Sequence, residues 1–156
     1  MKPSEKVLCI ISCGGRKIWD KQNGINTGPA PARNVYTGSF VRTNQRYAER
    51  FYPDSWCIIS AKYGFLMPDD IVGENYNIRM TDSEAISSAE LRKQAERLGL
   101  DTYERVLVLA GTSYVDAVRK ALPDHINLEA PLAGAGGMLG MMKRVREAID
   151  SGQVIQ

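Results

Sequence analysis

The sequence predicts an α/β fold: a three-layer α/β/α sandwich built on a mainly parallel, four-stranded sheet. Two patterns lead to that expectation. Four short runs are continuously apolar rather than alternating, as in strands covered on both faces. Helical periodicities separate them, giving the order β-α-β-α-β-α-β-α, which right-handed crossovers turn into a parallel sheet.

The first run, Val7 to Ser12, ends in Cys13-Gly14-Gly15. The second, Trp56 to Ser60, ends at Ala61-Lys62-Tyr63-Gly64 and repeats the Cys-Ile-Ile-Ser of residues 9–12. If these strands are parallel neighbours, Ser12 and Ser60 share one sheet edge. Val106 to Ala110 ends at Gly111-Thr112-Ser113, and the weaker Ile126 to Ala130 is closed by Pro131. Between them, Phe40, Asn44, Tyr47 and Phe51 fall on one helical face. Ser87 with Glu90, and Ser113 with Asp116, read as capping boxes. Met138, Met142, Val145 and Ile149 stripe a final helix and read as core packing. Residues 20–33 and 68–82 have no clear period and are expected to be long loops, which in a compact domain are usually functional.

The 156 residues suit one α/β domain over 1–156 with a self-sufficient core. With 44% hydrophobic and 24% charged residues, the chain falls outside the disordered class. Net charge is +2, from 20 Lys and Arg against 18 Asp and Glu, too near neutral to mark a nucleic-acid binder by charge alone. A local basic patch stays compatible with it. Cys9 and Cys57 lie inside apolar strands, and three cysteines cannot all pair, so reduced thiols and a cytoplasmic setting are expected. Met1 to Lys6 is too short for a signal peptide, and no apolar run approaches the roughly 20 residues of a membrane span. Three cysteines and one histidine at these spacings give no zinc motif, and neither metal nor cofactor is expected.

In open parallel sheets, ligands bind beyond the carboxyl ends of the strands. Here those ends are rich in small residues, whose backbone amides can approach an anion closely. The candidates are Ser12, Gly14, Arg16 and Lys17 after the first strand, with Ser60, Lys62 and Tyr63 after the second. Gly111, Thr112 and Ser113 follow the third strand, and Gly134 and Gly136 the fourth. Each has a plainer reading: Thr112 and Ser113 as helix caps, Gly134 to Gly137 as a tight turn, Arg16 and Lys17 as solvated charges. The glycines match neither the dinucleotide fingerprint nor the phosphate loop. Cys13 is the one cysteine outside a strand interior, and adjacent cations would favour its thiolate. His125 precedes a strand, at the wrong sheet edge for a catalytic pair. Asp69 and Asp70 follow the second strand, with Glu74 and Tyr76 beyond. A carboxylate such as Asp70 can activate water or stabilise a sugar cation, or it can simply belong to a solvated turn.

Three blocks then resemble a bacterial and phage domain family of unknown function. They are Ser12-Cys13-Gly14-Gly15-Arg16-Lys17, the stretch from Pro29 through Tyr36-Thr37-Gly38-Ser39-Phe40, and Ile59-Ser60-Ala61-Lys62-Tyr63-Gly64-Phe65-Leu66. Leu109 to Tyr114 and Pro131 to Gly136 resemble its last blocks. That family is distantly similar to the YaaA proteins and to the archaeosine synthase core domain, which are grouped with the uracil-DNA-glycosylase-like fold. The resemblance implies a pocket for a nucleotide, a base or another phosphate-bearing ligand, with DNA or RNA as a candidate partner. Residue by residue, Arg16, Lys17, Arg33 and Lys62 become candidate phosphate clamps. Tyr36, Tyr63 and Tyr76 are candidate stacking platforms, Ser39 a cap or ligand contact, and Asp70, Lys62 and Cys13 candidate catalytic groups. Three functions follow as expectations: an enzyme acting at an N-glycosidic bond, a non-catalytic DNA- or RNA-binding module, and a small-molecule nucleotide sensor or transferase.

Overall fold

The computed structural model describes residues 6–20 and 28–155. Its centre is a five-stranded sheet in the order β4-β3-β1-β6-β7. The strands are β1 (Val7–Ser12), β3 (Trp56–Ser60), β4 (Gly64–Leu66), β6 (Arg105–Leu109) and β7 (Asn127–Glu129). A separate two-stranded ribbon pairs β2 (Ala30–Pro31) with β5 (Ile71–Val72). The helices are α1 (Ala32–Val35), α2 (Ser39–Phe51), α3 (Ser88–Leu98), α4 (Thr112–Ala121) and α5 (Gly137–Ser151).

β1 is central, pairing in parallel with β3 (Cys9 opposite Trp56) and β6 (Cys9 opposite Leu107). Strand alternation sorts its side chains by face. Cys9 and Ile11, with Trp56 and Ile58, pack against Tyr47 and Ala48 of α2 and Val145 and Ala148 of α5. Leu8 and Ile10, with Cys57, Ile59, Val106 and Val108, pack against Leu91 of α3 and Val118 of α4. Both faces are buried, which is why the strands read as continuous apolar runs. The three-layer α/β/α arrangement follows directly.

The fifth strand corrects the expected four. After Ser60 the chain turns back through Ala61-Lys62-Tyr63, and β4 runs antiparallel to β3, with Ser60 opposite Gly64 and Ile58 opposite Leu66. Gly64 makes the reversal, since its φ of +79° suits a residue without a side chain. Residues 68–82 are likewise not wholly irregular, because Ile71 and Val72 pair with Pro31 and Ala30. Of the expected loop over 20–33, residues 21–27 lie outside the described residues. Among the described residues, no helix is long and apolar enough to cross a membrane.

Candidate functional site

The order of the strands creates a divergence at the carboxyl edge of the sheet. From β1 the chain crosses to β3 on one side, while from β6 it continues to β7 on the other. The carboxyl ends of β1 and β6 are therefore a topological switch point, where open α/β sheets form their ligand crevices. A cleft of about 590 Å³ lies there. Its floor is Ser12, Cys13, Gly14 and Gly15 from the end of β1 and Gly111 from the end of β6. Its walls are Arg16, the α2 start at Gly38 to Val41, Ser113 and Tyr114 of α4, and Met138 and Met141 of α5.

Three helix starts bound the site, and each has glycine at its N-cap: Gly38 for α2, Gly111 for α4 and Gly136 for α5. None carries a side-chain cap, whereas α3, which lines neither this cleft nor its neighbour, is capped by Ser87 accepting from the Glu90 amide at 3.2 Å. Ser39, Thr112 and Ser113 are thus corrected as caps. Each lies inside its helix, one or two residues past the position from which a hydroxyl reaches the first free amides. These uncapped first turns, with the positive end of each helix dipole, lie at the cleft and its border and suit an anion. Ser12 adds a hydroxyl: it is 4% exposed, lines the cleft and has no hydrogen-bond partner among the described residues. Arg16 supplies a full positive charge on the rim.

Cys13 lies on the cleft floor with its Sγ 3.4 Å from the Tyr114 hydroxyl. Burial, then the neighbouring Cys13, pushes the Tyr114 phenol well up, so it stays protonated near neutrality. Beneath and beside the floor, a second set of expected ligand residues forms a closed network instead. Ser60 Oγ accepts from the Lys62 and Tyr63 amides (3.2 and 3.1 Å) and contacts the Tyr76 hydroxyl at 2.7 Å. Tyr76 in turn meets the Tyr36 hydroxyl at 2.5 Å. Because the Ser60 lone pairs serve two amides, its proton goes to Tyr76 and that of Tyr76 to Tyr36. Lys17 donates to the Tyr76 carbonyl (2.7 Å) and the Gly15 carbonyl (3.1 Å), with its ammonium 4.3 Å from the Tyr76 ring centroid. Burial holds its pKa below the ordinary lysine value.

Lys17 at 1% exposure and Tyr36 at 0% do not reach solvent, so the expected phosphate clamp and stacking ring are internal struts. Tyr76, also buried, meets Tyr63 edge-on at 5.4 Å. Lys62 reaches Glu74 at 3.9 Å and lies over the Tyr63 ring, outside the cleft. Asp70 stands apart from the site. Because β4 runs backward along β3, with Leu66 already opposite Ile58, residues 68–70 head toward the amino end of that strand. There the Asp70 carboxylate accepts from the Met67 amide at 2.8 Å and closes a turn. Arg33 sits at the same far end, bonded to Asp69 at 2.9 Å and lying over Trp56.

Across α4 from the cleft lies a second cavity of about 490 Å³. Thr112, Asp116 and Arg119 of α4 line it, together with the turn Ala133 to Gly137, so Gly134 and Gly136 belong here. That turn is narrow, since a Cβ at Gly140 would come within 1.8 Å of the Ala135 carbonyl oxygen. The two cavities share Gly111 and Met141.

Phe40, Val41, Tyr114, Met138 and Met141 line the cleft without having been singled out for it. Met138 corrects the core reading of the methionine stripe: it shares a face with Met142, but in the first turn of α5 it is 58% exposed and lines the cleft. A glycine turn directly before it was the available signal. Among the described residues, no group of three or more His, Cys, Asp or Glu is placed to hold a metal ion.

Comparison with known proteins agrees with the extent of the motifs. The chain is 35% identical over 147 residues to the uncharacterized protein YfjM of Bacillus subtilis strain 168, an alignment covering 93% of this chain and 96% of YfjM. A family model matches residues 8–144, from β1 to the middle of α5, and so spans the whole switch-point site. The chain belongs to that family, the family of unknown function DUF6884.

Proposed function

We propose that the switch-point cleft binds a nucleotide or a related phosphate-bearing ligand. The observation that carries this reading is the combination of three uncapped helix starts around the cleft with the Ser12 hydroxyl, which lines it without a hydrogen-bond partner among the described residues. A phosphate takes amide and hydroxyl donors there, and Arg16 adds charge. Phe40, Tyr114, Met138 and Met141 offer aromatic and thioether surface to a base. The distant similarity of the family that the chain's motifs resemble to the YaaA proteins and the archaeosine synthase core domain implies the same ligand class. Three free thiols suit a cytoplasmic protein.

Turnover at an N-glycosidic bond is the more demanding version of this proposal. It requires a group that can hold or relay charge at the reacting carbon. Asp70 is remote, and no carboxylate lines the cleft among the described residues, so such a reaction would fall to Cys13 and Tyr114.

Thermal shift against mononucleotides, free bases and inorganic phosphate tests the binding. A ligand at one hundred times its Kd adds about 2.7 kcal/mol. For a domain of this size that raises Tm by roughly 5–11 °C. Ser12→Val and Arg16→Glu should each reduce the shift. The proposal is lost if no mononucleotide, base or phosphate moves Tm.

A further inference from the structure

Resting on that binding reading, we infer that the site takes a ligand of two nucleoside units joined by a phosphodiester, with the phosphate at the start of α4 and one unit in each cavity. The start of α4 is not at the end of the cleft but between two cavities. Gly111 and Met141 belong to both, one cavity opening toward β1 and α2, the other toward the Gly134–Gly137 turn. Each cavity, at about 590 and 490 Å³, falls within the size of ordinary small-molecule sites. A lone mononucleotide would fill one and leave the other to water.

The donors have the same distribution. The first amides of α4 lack a side-chain cap, and the unpartnered Ser12 hydroxyl lines the larger cavity. Arg16 stands on the larger cavity, and Arg119 lines the smaller one about two turns along α4 from its start, past Asp116. A phosphodiester carries a single charge and two ester arms, which fits one donor cluster flanked by two chambers. A terminal phosphate has one arm only. The same chemistry occurs in a free dinucleotide and within a single strand of nucleic acid.

The test compares the full set of dinucleoside monophosphates with the matching mononucleotides by calorimetry. The best dinucleoside monophosphate should bind at least about tenfold tighter than either of its mononucleotides, as linked units do when both sites are engaged. Ala133, exposed on the wall of the smaller cavity, supplies the blocking variants. Ala133→Phe should reduce the ratio of the two affinities to about one, and Ala133→Leu should reduce it part way, by the additivity of linked binding. Equal binding of dinucleoside monophosphates and mononucleotides overturns the two-unit ligand while leaving the phosphate reading intact. Absence of binding by either class removes both. An oligonucleotide embedding the preferred pair separates the sources: binding equal to or tighter than the free pair identifies a strand, and exclusion identifies a free dinucleotide.

Discussion

Tyr76→Phe deletes a single oxygen from the centre of the buried hydroxyl chain. That oxygen contacts Ser60 Oγ at 2.7 Å and the Tyr36 hydroxyl at 2.5 Å. The ring stays, and with it the Lys17 ammonium at 4.3 Å and the edge contact with Tyr63. The Lys17 bond is to the Tyr76 carbonyl and is untouched. Each lost neutral hydrogen bond costs about 0.5–1.5 kcal/mol net, and a buried group left unpaired costs about 1–3 kcal/mol. Here the Ser60 proton loses its acceptor and the Tyr36 oxygen its donor, so the expected loss is about 2–4 kcal/mol. Tyr36→Phe breaks one bond and leaves only the Tyr76 proton without its acceptor, so it should cost about 1–3 kcal/mol and less than Tyr76→Phe. Urea unfolding followed by circular dichroism, with an unchanged m-value, reads both numbers. The argument is refuted if Tyr76→Phe lies within about 0.5 kcal/mol of wild type, or if Tyr36→Phe is the more damaging of the two.

Gly140→Ala should destabilise by about 1–3 kcal/mol, despite alanine's helix preference, because its Cβ would collide with the Ala135 carbonyl; an unchanged urea midpoint would contradict this. In the native protein, Ellman's reagent should titrate one thiol, Cys13, with Cys9 and Cys57 (both 0% exposed) appearing only on unfolding; a saturating nucleotide should slow that single reaction. The Arg105 guanidinium, bonded to both oxygens of Glu129, holds the Glu129 carboxyl below its ordinary 4.5. Its contribution to stability is therefore complete above the unfolded value and lost as pH falls through the lower folded one. Glu129→Gln should flatten that acid limb of a plot of urea midpoint against pH, and an unaltered limb would count against the pairing. Asp70→Asn should leave nucleotide binding at wild-type strength, since the carboxylate closes a turn at the opposite end of the sheet; calorimetry decides.

The parallel strands were legible because burial on both faces writes itself as unbroken apolar runs, and the Cys-Ile-Ile-Ser repeat rightly set Ser12 and Ser60 at one edge. β4 was not, since three residues after a turn carry no measurable period. That omission misplaced Asp70, because the direction of a short return strand decides which end of the sheet the next residues reach. Ser12, Arg16 and Gly111 were legible from their strand ends alone. Lys17, Tyr36 and Tyr76 have the composition of a binding surface, yet sequence does not distinguish a polar group that meets solvent from one that meets another polar group. Only the path of the segment leading to Tyr76, back toward Ser60, determines that.

The central position of β1 also has a consequence for biosynthesis. Val7–Ser12 leaves the ribosome before either of its neighbours, since Cys9 has its partners at Trp56 and Leu107. At about 5–20 residues per second, this apolar strand stays without its second neighbour for roughly 5–20 s of translation. Such a strand is a natural target for chaperones that hold extended apolar segments, and its unpaired edges are open to association with other nascent chains. Slowing translation between α3 and β6 would lengthen that exposure and lower the soluble yield of a protein whose finished fold is unaltered.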